Sequence, residues 1–154
     1  MFELLPDESY MREALRQAEK AYAAQEVPVG AVIVRDGKII ARSHNQVELL
    51  KDATAHAEML ALTQAEAAIR DWRLIDCDLY VTKEPCPMCA GALVHTRVRR
   101  VIFGCADRSA GAAGTMMNLL QNPSFNHQCD ITPGVLQNEC AAILQEFFRQ
   151  RRRE

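Results

Sequence analysis

The stretch LYVTKEPCPMCAGALVHTRVRRVIF, residues 79–103, decides the fold class of this chain. Residues 79–82 predict a strand, residues 87–95 predict a short helix, and residues 98–103 predict a second strand. Strands that alternate with helices are typical of α/β domains, in which helices cover a sheet. We therefore expect the rest of the chain to extend a layered α/β arrangement.

The segment before this stretch predicts two helices and a β-hairpin. Apolar residues recur at helical spacing after Asp7, which is the expected cap of the first helix. The run VPVGAVIV at 27–34, the Asp-Gly pair at 36–37 and KIIARS after it predict a hairpin, because Asp-Gly accepts the positive φ angles of a tight turn. A second helix is expected from a cap at Thr54 to about Ala68.

The end of the chain predicts a further helix, opened by Thr132 and Pro133 and followed by the basic sequence RRR. Its expected core-facing residues are Leu136, Cys140, Ile143, Leu144, Phe147 and Phe148. Together these elements predict one three-layer α/β/α domain spanning residues 1–154, built on a mixed sheet of about five strands whose first pair is antiparallel.

Composition narrows the class of protein. The chain has 154 residues, of which 49% are hydrophobic and 25% are charged, and these values exclude disordered and fibrous classes. No apolar stretch approaches the roughly 18 residues that would span a membrane, so we expect a cytoplasmic protein. The net charge of −2 argues against a dedicated basic nucleic-acid binder, although residues 95–154 carry eight basic and five acidic residues.

The chain carries HAE at 56–58 and PCPMC at 85–89. One imidazole and two thiolates, from His56, Cys86 and Cys89, suit Zn²⁺ and leave its fourth position open, as a catalytic zinc site requires. The two cysteines are three residues apart at a predicted helix N-terminus, where the helix dipole favours thiolate.

Glu58 follows His56 by two residues, a spacing that places side chains on nearly opposite faces of a regular helix. The pair therefore shares a site only if it lies at the end of its helix. In that position we expect Glu58 to carry protons between a zinc-activated water molecule and the substrate, and not to bind the metal.

Other interpretations of the motif stay open. A CxxC pair also closes structural zinc sites or acts in redox chemistry, and a fourth ligand is available from the fold at His95, Cys105, His127 or Cys129. Outside the motif, we expect the remaining cysteines to pack as small apolar residues. They are Cys77, Cys105, Cys129 and Cys140.

The combination of HxE with PCxxC is the signature of zinc-dependent nucleobase deaminases. Over its length the chain resembles the bacterial tRNA-specific adenosine deaminases, through VPVGAVIV, ARSHNQ, DATAHAE, RLIDCDLYVTKEPCPMCAGALVHTRVRRVIFG, GAAGT, FNH and NECAAILQEFFRQRRR. The resemblance implies a cytidine-deaminase-like fold, one Zn²⁺ per subunit and conversion of the wobble adenosine of a tRNA anticodon stem-loop to inosine. It also implies a homodimer whose tRNA site uses both subunits.

The resemblance extends to single positions. His56, Cys86 and Cys89 match the family's zinc ligands, and Glu58 matches its proton shuttle. Asn45 matches an asparagine that contacts the flipped purine, and an amide suits a purine edge because it both donates and accepts.

Three further residues match positions near the bound RNA. Asp107 matches a loop acid beside the nucleotide, and Asn126 and His127 match a polar pair near the anticodon loop. Each of these residues, like Asn45, is also suited to closing a local turn. The final arginines, Arg149, Arg151, Arg152 and Arg153, either bind phosphates or form a solvated helix end.

The chain departs from the family pattern at three positions, none of which removes a chemical group from the motif. Ala53 replaces a common proline, Cys105 replaces alanine, and Gln46 stands where a basic residue is common. Two alternative functions remain open: a deaminase of free bases or nucleosides, and a zinc-stabilised RNA-binding protein without turnover.

Overall fold

The computed structural model describes residues 6–153. Its helices and strands, in chain order, are α1 (Asp7–Ala23), β1 (Gly30–Arg35), β2 (Lys38–His44), α2 (Val47–Leu50), α3 (Ala57–Ile69), β3 (Cys77–Lys83), α4 (Pro87–His95), β4 (Arg100–Cys105), β5 (Asp130–Thr132) and α5 (Gln137–Arg151). The predicted alternation of strands and helices is confirmed.

The five strands form one mixed sheet in the order β2-β1-β3-β4-β5. Strand β1 is antiparallel to both β2 and β3, whereas β3, β4 and β5 are parallel to one another. The predicted hairpin is confirmed, because Arg35 pairs with Lys38 and both turn residues, Asp36 and Gly37, have positive φ angles of 52° and 75°. Because β3 and β4 are parallel, their carboxyl ends lie at the same edge of the sheet.

Helices cover the sheet in two pairs. Helix α1 packs against β1 and contacts α5, whereas α3 packs against β2 and contacts α4. Five of the six residues of β1 and five of the six of β4 are buried, so both faces of the sheet are covered and the two helix pairs lie on opposite faces. The predicted three-layer α/β/α arrangement is therefore confirmed. In the described part of the chain, no helix combines the length and apolar character needed to cross a membrane.

The predicted helix caps are wrong. Helix α1 follows Pro6 without a side-chain cap, and the carboxylate of Asp7 instead binds Arg100 and Tyr80. Thr54 does not cap α3, because its own backbone N–H and hydroxyl donate to Asp52 Oδ1 and the helix begins three residues later.

The C-terminal segment also differs from the prediction. Thr132 ends the short strand β5, and α5 begins five residues later, after Leu136 in a left-handed conformation. Phe148 is 42% exposed, whereas Phe147 is buried, so only one of these two neighbouring rings faces the core. The four cysteines outside the motif are buried, as expected.

Candidate active site

Two helix N-termini converge at the carboxyl edge of the sheet. His56 immediately precedes α3 and Cys86 immediately precedes α4, and both have extended backbones, with ψ angles of 153° and 173°. Pro87 occupies the first turn of α4, where its lack of an N–H costs nothing. Each helix therefore presents a metal-binding side chain from the residue that flanks its first turn.

The three predicted ligands lie together. His56 Nδ1 is 3.6 Å from Cys86 Sγ and 3.5 Å from Cys89 Sγ, and the three ligand atoms lie within 4.8 Å of one another. A tetrahedral zinc with Zn–N of about 2.0–2.1 Å and Zn–S of about 2.3 Å separates nitrogen from sulfur by about 3.6 Å. The residues present therefore fit a zinc ion held by one imidazole and two thiolates.

The described residues supply no fourth protein ligand to this group. The cluster of His, Cys, Asp and Glu side chains contains His56, Cys86 and Cys89, and none of the other candidates suggested by the sequence. Those other candidates were His95, Cys105, His127 and Cys129. Three protein ligands are the number found in catalytic zinc sites, whereas structural sites are closed by four.

The pKa values of the two cysteines are shifted in opposite directions. The hydrogen bond between them, together with a contact to His56, outweighs burial and lowers the pKa of Cys86 to about 4. The same hydrogen bond, followed by burial, raises the pKa of Cys89. Cys86 therefore forms a thiolate readily, whereas a thiolate on Cys89 requires a cation beside it.

Glu58 lies in the first turn of α3, two residues after His56, and both side chains line the same cavity. This agrees with the expectation that the pair shares a site at a helix end. Glu58 is 4% exposed, and burial raises its pKa to about 7. A carboxyl group with a raised pKa exchanges protons near neutral pH, as a proton shuttle requires.

A cavity of about 300 Å³ adjoins the cluster. Of the residues predicted for the site, five line it: Asn45, His56, Glu58, Cys86 and Asp107. The opening is therefore shared by two predicted metal ligands, a buried carboxyl and two candidate substrate-binding groups, which is the arrangement expected of an active-site pocket.

Asn45 and Asp107 line the cavity and also close local turns. The Asn45 amide donates to the Val27 carbonyl at 3.2 Å, and its Oδ1 accepts from the Val47 N–H at 3.4 Å. Asp107 Oδ1 accepts from the backbone and hydroxyl of Ser109 at 2.9 and 2.8 Å. These contacts orient both side chains within the site.

Asn126 and His127 do not reach the cavity in a single chain. Asn126 lines a separate groove with His95, Arg97 and Phe125, among others. His127 Nε2 lies 2.7 Å from the Val98 carbonyl oxygen. Their role at an RNA site stays a prediction.

Two residues that line the cavity have no role predicted from the sequence. Lys83 and Glu84 directly precede PCPMC, and their position beside the motif was the one signal that could have found them. Phe148 and Arg151 bring the end of α5 to the cavity, and Arg151 donates to the Gln25 carbonyl at 2.7 Å.

Comparisons with known proteins agree with this geometry. Residues 5–152 match the family model of MafB19-like deaminases. The chain is 52% identical over 148 residues to a tRNA-specific adenosine deaminase of Bacillus subtilis, covering 96% of this chain and 92% of that protein.

Solved structures are similar as well. One comes from a study of A-to-I editing by tRNA:A34 deaminases at the wobble position, with 42% identity, a TM-score of 0.85 and coverage of 88% of this chain and 99% of that chain. A guanine deaminase from Nitrosomonas europaea has 25% identity, a TM-score of 0.82 and coverage of 96% and 86%.

Proposed function

We propose a function from the premise that the chain belongs to the MafB19-like deaminase family and is a member of its tRNA-specific adenosine deaminase group. It hydrolyses the exocyclic amino group of the wobble adenosine, position 34 of a tRNA anticodon, and releases inosine-containing tRNA and ammonia. The single observation that carries this proposal is that His56, Cys86 and Cys89 form one metal-binding group beside a cavity that the buried Glu58 also lines.

His56, Cys86 and Cys89 would hold one Zn²⁺ per subunit. When bound, zinc supplies Lewis acidity that activates a water molecule for attack on the ring carbon that bears the amino group. The ligands themselves fix the position of this chemistry, because each lies at or within the first turn of a helix packed on the sheet.

Glu58 would move the protons. Its carboxylate takes a proton from the attacking water and delivers it to the adjacent ring nitrogen. It then takes the second proton from the new hydroxyl group on the ring carbon and delivers it to the exocyclic amino group, which leaves as ammonia. Burial supports this role, because it raises the pKa of Glu58 to about 7 and so lets the carboxyl group accept and release protons at neutral pH.

Asn45 and Asp107 would hold the nucleotide. Asn45 presents an amide to the cavity that is suited to a purine edge, and Asp107 lies at the same opening. An anticodon loop offers an unstacked base at lower cost than a duplex does. Arg151 and Phe148 place a cation and an exposed ring at this opening, which favours RNA as the substrate.

We further propose that the chain is a single deaminase domain and acts as a homodimer with its tRNA substrate in the cytoplasm. Because Asn126 lies in a groove apart from the cavity of its own chain, its contribution to RNA binding fits a site that two subunits share. Light scattering that finds only monomer at micromolar concentration would contradict the dimer.

The decisive assay compares substrates in the presence of stoichiometric zinc. An unmodified anticodon stem-loop with a wobble adenosine is tested beside free adenosine, guanine, cytosine and cytidine, with Glu58→Gln as the inactive control. We expect inosine in the RNA alone.

A free-base deaminase is the second candidate, because a guanine deaminase shares the fold with a TM-score of 0.82. Turnover of guanine without turnover of the stem-loop would keep the zinc chemistry and overturn the assignment of tRNA.

A further inference from the structure

Glu84 occupies the junction between the sheet and the segment 85–89, PCPMC, which carries Cys86 and Cys89 and is called the metal-binding turn below. It follows directly after β3 and precedes Cys86 by two residues, and it is 2% exposed. Its backbone N–H donates to the Cys105 carbonyl at the end of β4 at 2.9 Å. The main chain of this residue is therefore fixed to the neighbouring strand, which leaves its side chain to make separate contacts.

The Glu84 carboxylate binds one loop, residues 107–115. Its Oε1 accepts from the Asp107 N–H at 3.1 Å and from the Thr115 hydroxyl, and its Oε2 accepts from the backbone N–H groups of Ala113 and Thr115 at 2.9 and 3.1 Å. Four donors from the two ends of the loop thus meet on one carboxylate. A buried carboxylate is tolerated only when its oxygens accept hydrogen bonds in this way. Burial of Glu84 therefore depends on the loop conformation, and the loop conformation depends on the Glu84 carboxylate.

The loop passes so close to Glu84 that residue 111 must be glycine. A Cβ atom at Gly111 would lie 2.4 Å from Glu84 Oε1 and 2.5 Å from the Asp107 carbonyl oxygen. The next residue, Ala112, donates its N–H to the Pro85 carbonyl at 2.9 Å. The loop is therefore attached to the first residue of PCPMC as well as to the carboxylate before it.

Asp107 is held by two consecutive residues, Lys83 and Glu84. Glu84 accepts its backbone N–H, and Lys83 Nζ lies 3.1 Å from its Oδ2. Both Glu84 oxygens are engaged by donors of the loop, whereas Glu58 lies at the metal ligands, so proton transfer belongs to Glu58. What Glu84 controls is the location of the loop relative to the metal-binding turn.

We propose that Glu84 is a positioning residue, which fixes loop 107–115, and with it Asp107, against the metal-binding turn so that the substrate nucleotide is held in register with the zinc ligands. This inference rests on the proposed function for its kinetic consequence. Its structural part, the attachment of the loop, is independent of the substrate.

The first test measures the loop directly. In zinc-loaded Glu84→Gln, an amide NH₂ replaces one acceptor and faces N–H donors, so at least one buried donor loses its partner. We expect amide hydrogen exchange in residues 107–115 to accelerate by about tenfold or more, while exchange in α1 and β1 stays unchanged. Unchanged exchange in the loop would overturn the proposal, whatever the substrate of the enzyme.

The second test measures the kinetic consequence in a double-mutant cycle. On the substrate identified by the assay above, Glu84→Gln is expected to raise KM by about tenfold with a smaller change in kcat and with one zinc retained per subunit. Asp107→Asn added to Glu84→Gln should then raise KM by less than Asp107→Asn does alone, because Glu84 acts on the substrate through the position of the Asp107 side chain. Independent, multiplicative effects, or an equal loss of zinc and activity, would show a general structural role and overturn the proposal.

A gentler pair of variants covers the case in which Glu84→Gln does not fold. Thr115→Val removes one of the four donors, and Thr115→Ser keeps the hydroxyl. We expect faster loop exchange and a higher KM in Thr115→Val, and values closer to wild type in Thr115→Ser. Indistinguishable behaviour of the two variants would contradict the role of the carboxylate.

Discussion

Charged side chains gather at both ends of the parallel strands β3 and β4, but they are used differently at the two ends. At the amino end, Arg100 binds the Asp7 carboxylate through both terminal nitrogens, and the Tyr80 hydroxyl donates to the same carboxylate at 2.7 Å. At the carboxyl end, Glu58 is buried beside the three predicted metal ligands. The first cluster joins elements of the fold, and the second assembles reactive groups.

The pKa values of the acidic groups in the two clusters are shifted in opposite directions. For Asp7, burial is outweighed by the hydrogen bonds from Arg100 and Tyr80, which lower the pKa. For Glu58, burial dominates and raises the pKa to about 7. A partner that neutralises a carboxylate stabilises the fold, whereas burial without such a partner prepares a carboxyl group for proton transfer.

Removal of the Glu58 carboxylate gives the largest expected effect on activity. Glu58→Gln should reduce inosine formation by about 10²–10⁴-fold, the usual contribution of general acid–base catalysis, without loss of bound zinc. Glu66→Gln, on the same helix, is the matched control. Ammonia release by Glu58→Gln at the wild-type rate would remove the distinction between the two clusters.

Removal of a zinc ligand should have the next largest effect, on metal content and stability together. Cys86→Ala is expected to lose stoichiometric zinc and to abolish the increase in Tm that zinc gives the wild-type protein, because a metal that binds the folded state stabilises it. Cys77→Ala, which removes a buried thiol outside the cluster, should retain one zinc per subunit by elemental analysis. Retention of zinc by both variants would contradict the ligand assignment.

Disruption of the amino-end cluster should affect stability alone. Asp7→Asn removes a charge-assisted contact with Arg100, so the free energy of unfolding is expected to fall by about 1–3 kcal/mol in urea titrations at pH 7. Deamination per folded molecule should stay unchanged. The exposed Asp130 provides the control, since Asp130→Asn should alter stability by less than about 0.5 kcal/mol.

The same variant tests the pKa direction of Asp7. Because the folded-state pKa is lowered, its stabilising contribution is complete above the unfolded-state pKa of about 3.9 and is lost as pH falls through the folded-state value. The difference in unfolding free energy between wild type and Asp7→Asn should therefore narrow as the pH falls below about 4. A difference that stays constant down to pH 2 would contradict the lowered pKa.

Substitutions at the two predicted substrate amides should have the smallest effects, and unequal ones. Asn45→Ala is expected to raise KM for the stem-loop more than Asn126→Ala does, because Asn45 lines the cavity and Asn126 lines a separate groove. Steady-state kinetics on the same stem-loop measure both. An equal or reversed order would show that the groove contributes to RNA binding at least as much as the cavity does.

The site could be predicted where its residues are close in sequence. His56 and Glu58, and likewise Cys86 and Cys89, are two and three residues apart, and their geometry follows from the ends of the helices that carry them. Glu84 could not be recognised in this way, since its donors lie 23 to 31 residues further along the chain.

Periodic patterns in the sequence predict most of the fold. The prediction fails where an element is too short to show a period, and where a helix continues beyond the core. Strand β5 has three residues, too few to show an alternation, so the sequence predicts about five strands but does not locate this one. The helical period assigned Phe148 to the core with Phe147, but the end of α5 borders the cavity, where Phe148 is exposed.

Neither helix that carries the metal ligands has a side-chain cap at its N-terminus. The residues in those positions are His56 and Cys86, where serine, threonine or aspartate would each add about 1 kcal/mol to helix stability. At both positions a predicted metal ligand therefore stands where a stabilising cap could be. Metal binding by these side chains would therefore take the place of the missing caps, so hydrogen exchange in the first turns of both helices is expected to slow when zinc is added.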